Sequence, residues 1–228
     1  REYAATAPDG FSALCVCWTV PEIDEFPRDA WGQPFVVIVG PYAGTVEEGR
    51  EATKPLHGLA TPLADLSGPM PWVEAQSALF DEDYPDGRRY YWRSTYLRDL
   101  PDEAFDVLID LTERRPSLLS SLDIWQLGGA INRVAPEASP IAHRGAPWLI
   151  GIEANWEDAA DDEANRAWTK EVTAALEPFS AGGSYMNFED PDNATATRAA
   201  YGANTERLRT IKQRYDPENL FRSRQGLG

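Results

Sequence analysis

The chain opens with two apolar runs that are separated by a loop containing proline and glycine. Phe11–Val20 reads FSALCVCWTV and Pro34–Tyr42 reads PFVVIVGPY. This density of β-branched and aromatic side chains is typical of strands. Later segments of the same character are also predicted to be strands: 88–97, 121–129 and 146–156.

Apolar residues recur at helical spacing in two other segments. The first spans 102–115 before Pro116, with a predicted buried stripe of Phe105, Leu108, Ile109 and Leu111. The second spans 158–177 before Pro178, with a predicted stripe of Ala160, Ala164, Trp168, Val172 and Leu176. A shorter helix is indicated by the capping-box sequence at Thr45 and Glu48, and Pro55 is expected to end it.

The order of these elements predicts the fold class. Strands follow one another in pairs, which favours antiparallel pairing, and helices lie between the pairs. We therefore expect an α+β fold: an antiparallel β-sheet covered by helices on one face, with a C-terminal helical tail.

The tail reads as a short strand, a loop, a short helix that Gly202 stops, and a final helix. The features predicted for the final helix are an N-cap at Asn204 or Thr205, a buried side at Leu208 and Ile211, and a stop at Pro217. Phe221 follows that stop, where an aromatic ring needs a surface to pack against.

Charge limits the expected partners. The formal net charge is −16 at pH 7. Nucleic acid and anionic membrane surfaces both attract clustered Lys and Arg, so neither is an expected partner. No apolar run approaches the roughly 18 residues of a membrane span. Two explanations of the acidity stay open: a salt-adapted proteome, or an ordinary acidic cytosolic protein from an arginine-rich genome.

Cys15 and Cys17 lie on one face of the first predicted strand. A disulfide between them would be strained, and two thiols alone make a poor metal site. We therefore expect buried thiols, a reducing compartment and a cytoplasmic location. The histidines, His57 and His143, have no partner at ligand spacing, so no zinc or haem site is predicted.

Four motifs follow one another in the tail: YMNF (185–188), YGAN (201–204), RLRTIK (207–212) and YDPENLF (215–221). In this order they closely resemble the C-terminal module of the berberine-bridge-enzyme-like FAD-linked oxidoreductases, relatives of vanillyl-alcohol oxidase. Four matches in order are far more specific than one. Upstream, segments such as WLIGIEANW resemble the substrate domain of the same family more loosely.

The resemblance implies a substrate-binding (cap) domain over 1–180 and a berberine-bridge-like C-terminal segment over 181–228. It also implies that the FAD-binding half of the family is absent from this chain, which begins with Arg1 rather than Met. The C-terminal segment would dock on that half, with Phe221 packing against it. FAD is the implied cofactor, bound mainly by the other half, and covalent attachment is left open.

The implied activity is hydride transfer from an alcohol, sugar or phenolic substrate to flavin N5, with oxygen or another acceptor reoxidising the flavin. The chain alone is then expected to be inactive. The alternative is a non-catalytic, stand-alone binding or scaffold domain derived from such an enzyme. A cofactor-free hydrolase is disfavoured, because no Ser/His/Asp or Cys/His arrangement is visible. The oligomeric state is left open.

The YMNF motif carries the candidate chemistry. Tyr185 matches the family tyrosine beside the flavin, so it is the candidate catalytic base, or the residue that orients one, and a cofactor contact. Asn187 matches a residue that contacts the flavin. Phe188 matches a position that varies among Tyr, Phe and His, and its ring cannot transfer a proton. Without the resemblance, Tyr185 would be interpreted as a core-edge aromatic and Asn187 as a turn residue.

Alternation along 148–156 places Leu149, Gly151 and Glu153 on one face of a strand. Leu149 and Gly151 are predicted to line the substrate pocket. Family members with a catalytic Glu or Gln on this strand carry it at the position of Gly151, so glycine removes a base and opens space. Glu153 is a weaker candidate base, and a solvated charge at the strand end is the competing interpretation. The other predicted pocket residues are Tyr91, Trp92, Trp125 and Gln126, with core packing as their alternative role.

Overall fold

The computed structural model describes residues 1–80, 84–190 and 199–222, without the side chains of residues 78–80. One sheet contains β1 Leu14–Thr19, β2 Pro34–Val39, β3 Arg89–Leu97, β4 Ser121–Gln126 and β5 Trp148–Trp156. The strand order is β2-β1-β4-β5-β3, and each neighbouring pair is antiparallel. The five strands predicted before the tail and the α+β fold class are confirmed.

The helices include α1 Val46–His57, α2 Trp72–Phe80, α3 Asp102–Glu113, α4 Ala130–Arg133, α5 Asp162–Leu176 and α6 Thr205–Tyr215. The capping box of α1 is confirmed, since the Glu48 amide donates to the Thr45 hydroxyl at 3.3 Å and the Thr45 amide donates to the Glu48 carboxylate at 3.0 Å. The prediction that Pro55 ends α1 is wrong, because the helix continues to His57. No residue of α1 is buried, so the carbonyl that proline leaves without a partner can bond to water.

The main core lies between the sheet and the pair α3 and α5. Leu108 of α3 and Val172 of α5 are buried against Ile150 and Ile152 of β5. The Trp168 indole Nε1 donates to the Leu111 carbonyl at 2.8 Å, which ties α5 to α3. The predicted covering of one sheet face by helices is therefore confirmed.

The predicted helix stripes contain three errors. Ile109 is 54% exposed, and Ala160 and Ala164 are also exposed. The buried faces of these helices instead include small or polar residues that were not predicted: Ala104 and Thr112 in α3, and Asn165 and Thr169 in α5. These residues are not apolar enough for periodicity to reveal them, although Thr112 and Thr169 satisfy their hydroxyls on the preceding turn.

The tail runs along the outer edge of β3. The Ala181 amide donates to the Tyr96 carbonyl at 2.7 Å, and the Asp190 amide donates to the Trp92 carbonyl at 3.0 Å. Between these contacts the chain forms a 3₁₀ turn, Met186–Phe188. The short strand predicted at this place is therefore wrong. The opposite edge of the sheet is β2, which has β1 as its single neighbour among the described strands. Val36 and Ile38 of β2 are 62% and 42% exposed.

The last described residues form a turn that is built around a buried carboxylate. Asp216 is 9% exposed, and its oxygens accept hydrogen bonds from the Leu220 amide at 2.7 Å and the Phe221 amide at 3.1 Å. Lys212 forms an ion pair with the same carboxylate and also donates to the Phe221 carbonyl. Hydrogen bonding from Lys212 lowers the pKa of Asp216 below its usual value.

This Asp216 turn leaves apolar side chains outside. Phe221 is 82% exposed and Leu220 is 72% exposed, which confirms that Phe221 finds no cover on the described part of the chain. The predicted buried side of α6 is wrong, because no residue of α6 is buried and Ile211 is 43% exposed. Asn204 occupies the N-cap position without a side-chain cap bond, and its amide instead donates to backbone carbonyls of residues 136 and 139.

The prediction that Cys15 and Cys17 are covered thiols without a disulfide is confirmed. Both thiols are free, Cys17 is buried and Cys15 is half-buried. Burial raises the pKa of Cys15 to about 11 and that of Cys17 to about 12. Both sulfur atoms are therefore thiols, not thiolates, near neutral pH. Among the residues described above, no helix is long and apolar enough to cross a bilayer.

Candidate active site

The sheet face opposite α3 and α5, here called the open face, carries the candidate chemistry. Ile150 and Ile152 point toward the helices, so Leu149, Gly151 and Glu153 lie on the open face, as alternation predicts. All three are buried. The interpretation of Glu153 as a solvated charge is wrong, because its side chain is covered and its residue is only 3% exposed.

A second buried carboxyl lies beside Glu153. In the β4–β5 register, Asp123 is opposite Gly151 and Ser121 is opposite Glu153. The two acids are therefore diagonal neighbours on the same face. Ser121 donates to Asp123 Oδ1 at 2.8 Å, and the Tyr84 hydroxyl donates to Glu153 Oε2 at 2.7 Å. Asp123 is 4% exposed.

This carboxyl pair has altered proton affinities. Burial raises the pKa of Glu153 to about 7, although the hydrogen bond from Tyr84 acts in the opposite direction. Burial, and then repulsion from Glu153, raise the pKa of Asp123 well above its usual range. The pair therefore holds a proton close to neutral pH, and its two ionisation steps belong to the pair rather than to either residue.

A partly open cleft with a volume of about 80 Å³ borders Asp123. Its apolar wall is made by β1 and β2 and includes Leu14, Val16, Trp18, Val37 and Val39. Its polar wall includes Tyr84, Ser121, Asp123 and Asn155. The mixed lining is that of a small-molecule site, but the volume is far below the roughly 300–1,000 Å³ of a typical ligand pocket, so the cleft has room for a small group only.

Tyr185 enters the open face from the tail. Its hydroxyl accepts a hydrogen bond from the Asn187 side-chain amide at 2.9 Å. The backbone is anchored to β3, because the Tyr185 amide donates to the Ser94 hydroxyl at 2.9 Å and the Ser94 amide donates to the Glu189 carboxylate at 2.9 Å. Ser94 and Glu189 are both buried. The position of Tyr185 is therefore set by two hydrogen bonds that tie the tail to Ser94 at the sheet edge.

Phe188 joins the tail to the predicted pocket. Its ring lies 5.1 Å from Tyr185, 5.8 Å from Trp125 and 6.2 Å from Trp92, between ring centroids. Trp92 continues this aromatic group toward Tyr84 at 5.3 Å. The structure thus brings Tyr185, Trp92 and Trp125 together on the open face, on the side of the sheet that also carries Glu153.

Two predicted pocket residues lie elsewhere. Tyr91 is fully buried in the helix-side core, with the guanidinium of Arg166 4.6 Å from its ring centroid. Gln126 follows Trp125 and so points to the opposite face, where its amide donates to the Ala4 carbonyl at 3.1 Å. Strand alternation thus places Tyr91 and Gln126 on the face opposite to Trp92 and Trp125. Of the predicted pocket residues, Leu149, Gly151, Trp92 and Trp125 lie on the open face, but they are not among the residues that line the cleft.

Asp123, Tyr84, Ser94 and Glu189 were not predicted as site residues. The sequence did contain an indication of Asp123. Its neighbours Leu122 and Ile124 are apolar and belong to the core side of the strand, so alternation places the acid on the opposite face of the sheet. The other three depend on contacts between segments that are 69 to 95 residues apart, which no local pattern reveals.

The two histidines contact other parts of the chain rather than each other or the carboxyl pair. His143 stacks on Tyr96 with ring centroids 5.0 Å apart, and its Nε2 lies 3.1 Å from the Ala199 carbonyl oxygen. A Cβ at Gly183 would lie 2.0 Å from His143 Nε2, so only glycine fits beneath this ring. His57 lies 3.3 Å from an Asp65 carboxylate oxygen. Over the residues whose placement is described, no group of three His, Cys, Asp or Glu side chains could hold a metal ion.

Comparison with known proteins supports this resemblance for the C-terminal segment. The model of the family described as "Berberine and berberine like" matches residues 184–228, which include the Tyr185–Asn187 pair and the Asp216 turn. The resemblance inferred from the four motifs is therefore confirmed.

Proteins that are similar to this chain over most of its length include FAD-linked oxidoreductases. An FAD-linked oxidoreductase of Dictyostelium discoideum is 26% identical over 82% of this chain and 41% of its own length. A carbohydrate oxidase of Microdochium nivale is 26% identical over 90% of this chain and 46% of its own length. The chain thus spans less than half of the length of these relatives.

Solved structures show that the fold is shared. The structure of BBE-like 28 from Arabidopsis thaliana superimposes with a TM-score of 0.77 and 19% identity, over 98% of this chain and 51% of that one. At this identity the similarity concerns the fold. It extends over the sheet, the helices and the tail together, and so confirms the architecture of the whole described chain.

The residues present can be tested against FAD, which the family uses. Tyr185 and Asn187 are half-buried and exposed, respectively, and offer a phenol and an amide that suit the polar edge of a flavin ring. A diphosphate instead requires backbone amides at a glycine-rich helix start. The glycines before α4 do not provide such a site. The Asp9 carboxylate lies close to Gly129, 3.0 Å from the place of a Cβ, and its negative charge would repel a phosphate. Tyr185 and Asn187 therefore suit the ring end of FAD, and the glycines before α4 do not suit its diphosphate.

Proposed function

We propose that this chain forms the substrate side of an FAD-dependent oxidoreductase that transfers hydride from an alcohol, sugar or phenol to the flavin. The single observation that carries the proposal is the Tyr185–Asn187 pair, fixed on β3 within the segment that matches the berberine-like family. The relatives, which include a carbohydrate oxidase, support oxidation of a hydroxylated substrate.

Bound FAD would supply the hydride acceptor. Oxidation of an alcohol also releases a proton from its oxygen, and this chain offers groups that could take it. The Asn187 amide donates to the phenol oxygen of Tyr185, and such a hydrogen bond stabilises negative charge on that oxygen. Tyr185 is therefore the proposed base, or the residue that orients one.

Glu153 is the second proposed proton acceptor. Its pKa of about 7 lets it take up and release a proton at neutral pH, which is the property of an efficient general base. Burial keeps that affinity high, against the opposing effect of the hydrogen bond from Tyr84. Trp92, Trp125 and Phe188 are proposed to hold the substrate and to limit its access to water.

The proposed partner is an FAD-binding domain of the same polypeptide. The exposed apolar residues of the C-terminal segment support it, since Phe221 and Leu220 are held outward by the Asp216 turn. Such a patch is typical of an interaction surface. The boundary between 1–180 and 181–228, and the cytoplasmic location, are part of the same proposal.

The test is an absorption spectrum of the product of the whole gene, before and after acid precipitation, followed by anaerobic addition of alcohols, aldoses and phenols. We expect a flavin band that bleaches with at least one of these compounds, and no such band from the purified 228-residue chain. A whole-gene product without flavin would contradict the proposal and would favour a binding or scaffold domain. Flavin in the supernatant or the pellet would separate non-covalent from covalent attachment.

A further inference from the structure

The tail takes the place of a neighbouring strand along the outer edge of β3. Among the described strands, β3 has β5 as its single neighbour. On the other side, the Asp190 amide donates to the Trp92 carbonyl at 3.0 Å, and the Ser94 amide donates to the Glu189 carboxylate at 2.9 Å. At Ser94 a side-chain carboxylate therefore replaces the carbonyl that a paired strand would offer.

The acceptor at this point is a buried carboxylate. Glu189 is 5% exposed. Its Oε1 accepts from the Ser94 amide and lies 3.3 Å from the Ser94 hydroxyl oxygen. Burying a carboxylate costs free energy, whereas the hydrogen bonds that it accepts are stronger than those between neutral groups. One oxygen of Glu189 thus lies within hydrogen-bond distance of both donors of Ser94.

Ser94 connects this carboxylate to Tyr185. The Tyr185 amide donates to the Ser94 hydroxyl oxygen at 2.9 Å. The single hydroxyl proton has two acceptors within reach, Glu189 Oε1 and the Tyr185 carbonyl, each at 3.3 Å. The carbonyl already accepts from the Phe188 amide at 2.9 Å, and the charged oxygen is the stronger acceptor. The two ends of the 185–189 turn are thus held on one residue of β3, and we call this arrangement the Ser94–Glu189 clamp.

We propose that Glu189, acting through Ser94, is a positioning residue that fixes the Tyr185 ring in its place on the open face. The clamp contacts the backbone of Tyr185, whereas the phenol oxygen is contacted by Asn187. A fixed backbone fixes the direction in which the ring leaves it, and the ring then packs edge-on against Phe188 with centroids 5.1 Å apart. The inference rests on the proposed function, since it names what holds the proposed base in position.

The first test reads the position of the ring without flavin. In the 228-residue chain with labelled tyrosine and phenylalanine, the nuclear Overhauser effect between the rings of Tyr185 and Phe188 is measured, and Tyr185→Phe assigns the tyrosine signal. Ser94→Ala removes the hydroxyl that links the turn to the carboxylate, and we expect it to abolish this effect. Glu189→Gln keeps an acceptor oxygen and should retain the effect, whereas Glu189→Leu should lose it.

The second test measures flavin reduction in stopped flow, in the flavin-loaded whole-gene product with a compound that bleaches its flavin. Ser94→Ala should slow reduction roughly 10- to 100-fold, as a displacement on the order of 1 Å predicts. Flavin content and the dissociation constant of the compound should stay almost unchanged. Because the clamp acts through Tyr185, Ser94→Ala should cause no further slowing in a protein that already carries Tyr185→Phe.

Ser180→Ala is the matched control, because it makes the same change at another buried hydroxyl between the tail and β3. Ser180 Oγ lies 3.2 Å from Thr95 Oγ1 and accepts from the Gly182 amide at 3.0 Å, outside the 185–189 turn. Both serine variants should lower the melting temperature to a similar extent. Ser180→Ala should leave the ring contact and the rate of flavin reduction unchanged, which separates positioning from stability.

An unchanged ring contact in Ser94→Ala would overturn the inference, as would equal slowing by Ser94→Ala with and without the Tyr185 hydroxyl. These outcomes differ from a failure of the proposed function. If the whole-gene product binds flavin but no alcohol, aldose or phenol reduces it, the proposed oxidation is lost and the ring contact alone decides on the clamp. If reduction occurs and the Ser94→Ala protein keeps both its rate and its ring contact, only the clamp is lost.

Discussion

Replacement of Glu153 by glutamine tests the buried carboxyl pair directly. Glutamine has the shape of a protonated glutamate and can still accept the hydrogen bond from Tyr84. The change removes the ionisable group that burial holds at a pKa of about 7, compared with an ordinary value of 4.5. The expected effect is therefore on the pH dependence of stability rather than on the fold.

The direction follows from proton binding. Between about pH 4.5 and pH 7 the folded protein keeps a proton on Glu153 that the unfolded chain releases, so the free energy of unfolding falls as pH rises through this window. One pKa unit corresponds to about 1.4 kcal/mol, so the full penalty is on the order of 3 kcal/mol above pH 7. Asp123 adds to it, since its pKa is also raised.

Urea unfolding of the 228-residue chain at about pH 4, pH 6 and pH 8 measures this penalty. Glu153→Gln should match the unaltered chain at the lowest pH and exceed its stability by up to about 3 kcal/mol at the highest. Glu157→Gln is the control, because Glu157 follows β5 directly and is exposed. A free energy of unfolding that stays flat from pH 4 to pH 8, or a Glu153→Gln chain that is less stable at pH 8, would refute the reasoning.

Other outcomes are expected from single changes. In the flavin-loaded protein, Tyr185→Phe should slow flavin reduction in stopped flow by roughly 10²–10⁴-fold with unchanged flavin content, and reduction at the normal rate would remove Tyr185 from the mechanism. Phe221→Ala should leave the thermal melt of the 228-residue chain almost unchanged, because the ring is 82% exposed. In the whole-gene product, Phe221→Ala should lower the free energy of unfolding by about 3–5 kcal/mol if the ring is buried there. Equal destabilisation of the two proteins would argue against docking. Leu108 is 1% exposed, so Leu108→Ala should lower the free energy of unfolding by about 2–5 kcal/mol in both proteins. This variant is the positive control for the thermal melts.

The five strands of the sheet were predicted correctly from composition, because β-branched and aromatic side chains pack well on a pleated, half-buried surface. The same reasoning failed at 185–188, where an apparent strand is a 3₁₀ turn. The turn exists because Ser94 and Glu189 take up backbone groups that a strand would have paired. Those contacts connect distant segments, so local sequence carries no trace of them.

The candidate site was only partly predictable for a related reason. Alternation placed Gly151 and Glu153 on the same face correctly. Whether Glu153 is solvated depends on Tyr84 and on the neighbouring strand that carries Asp123. Strand order is a property of the whole sheet, and β4 and β5 are separated by the 21 residues 127–147. The proton affinity of Glu153 therefore could not be inferred from its own segment.

The edge position of β2 affects how the protein can be handled. No described strand pairs with β2 on the side away from β1, so its backbone groups there could pair with another chain, and Val36 and Ile38 add an exposed apolar surface next to them. Pro34 blocks pairing only at the first residue of the strand. The net charge of −16 keeps copies apart by mutual repulsion, and salt screens that repulsion. Concentrated stocks should therefore precipitate as filamentous or amorphous aggregates sooner in high-salt buffer than in low-salt buffer, and a lysine in place of Val36 should delay it.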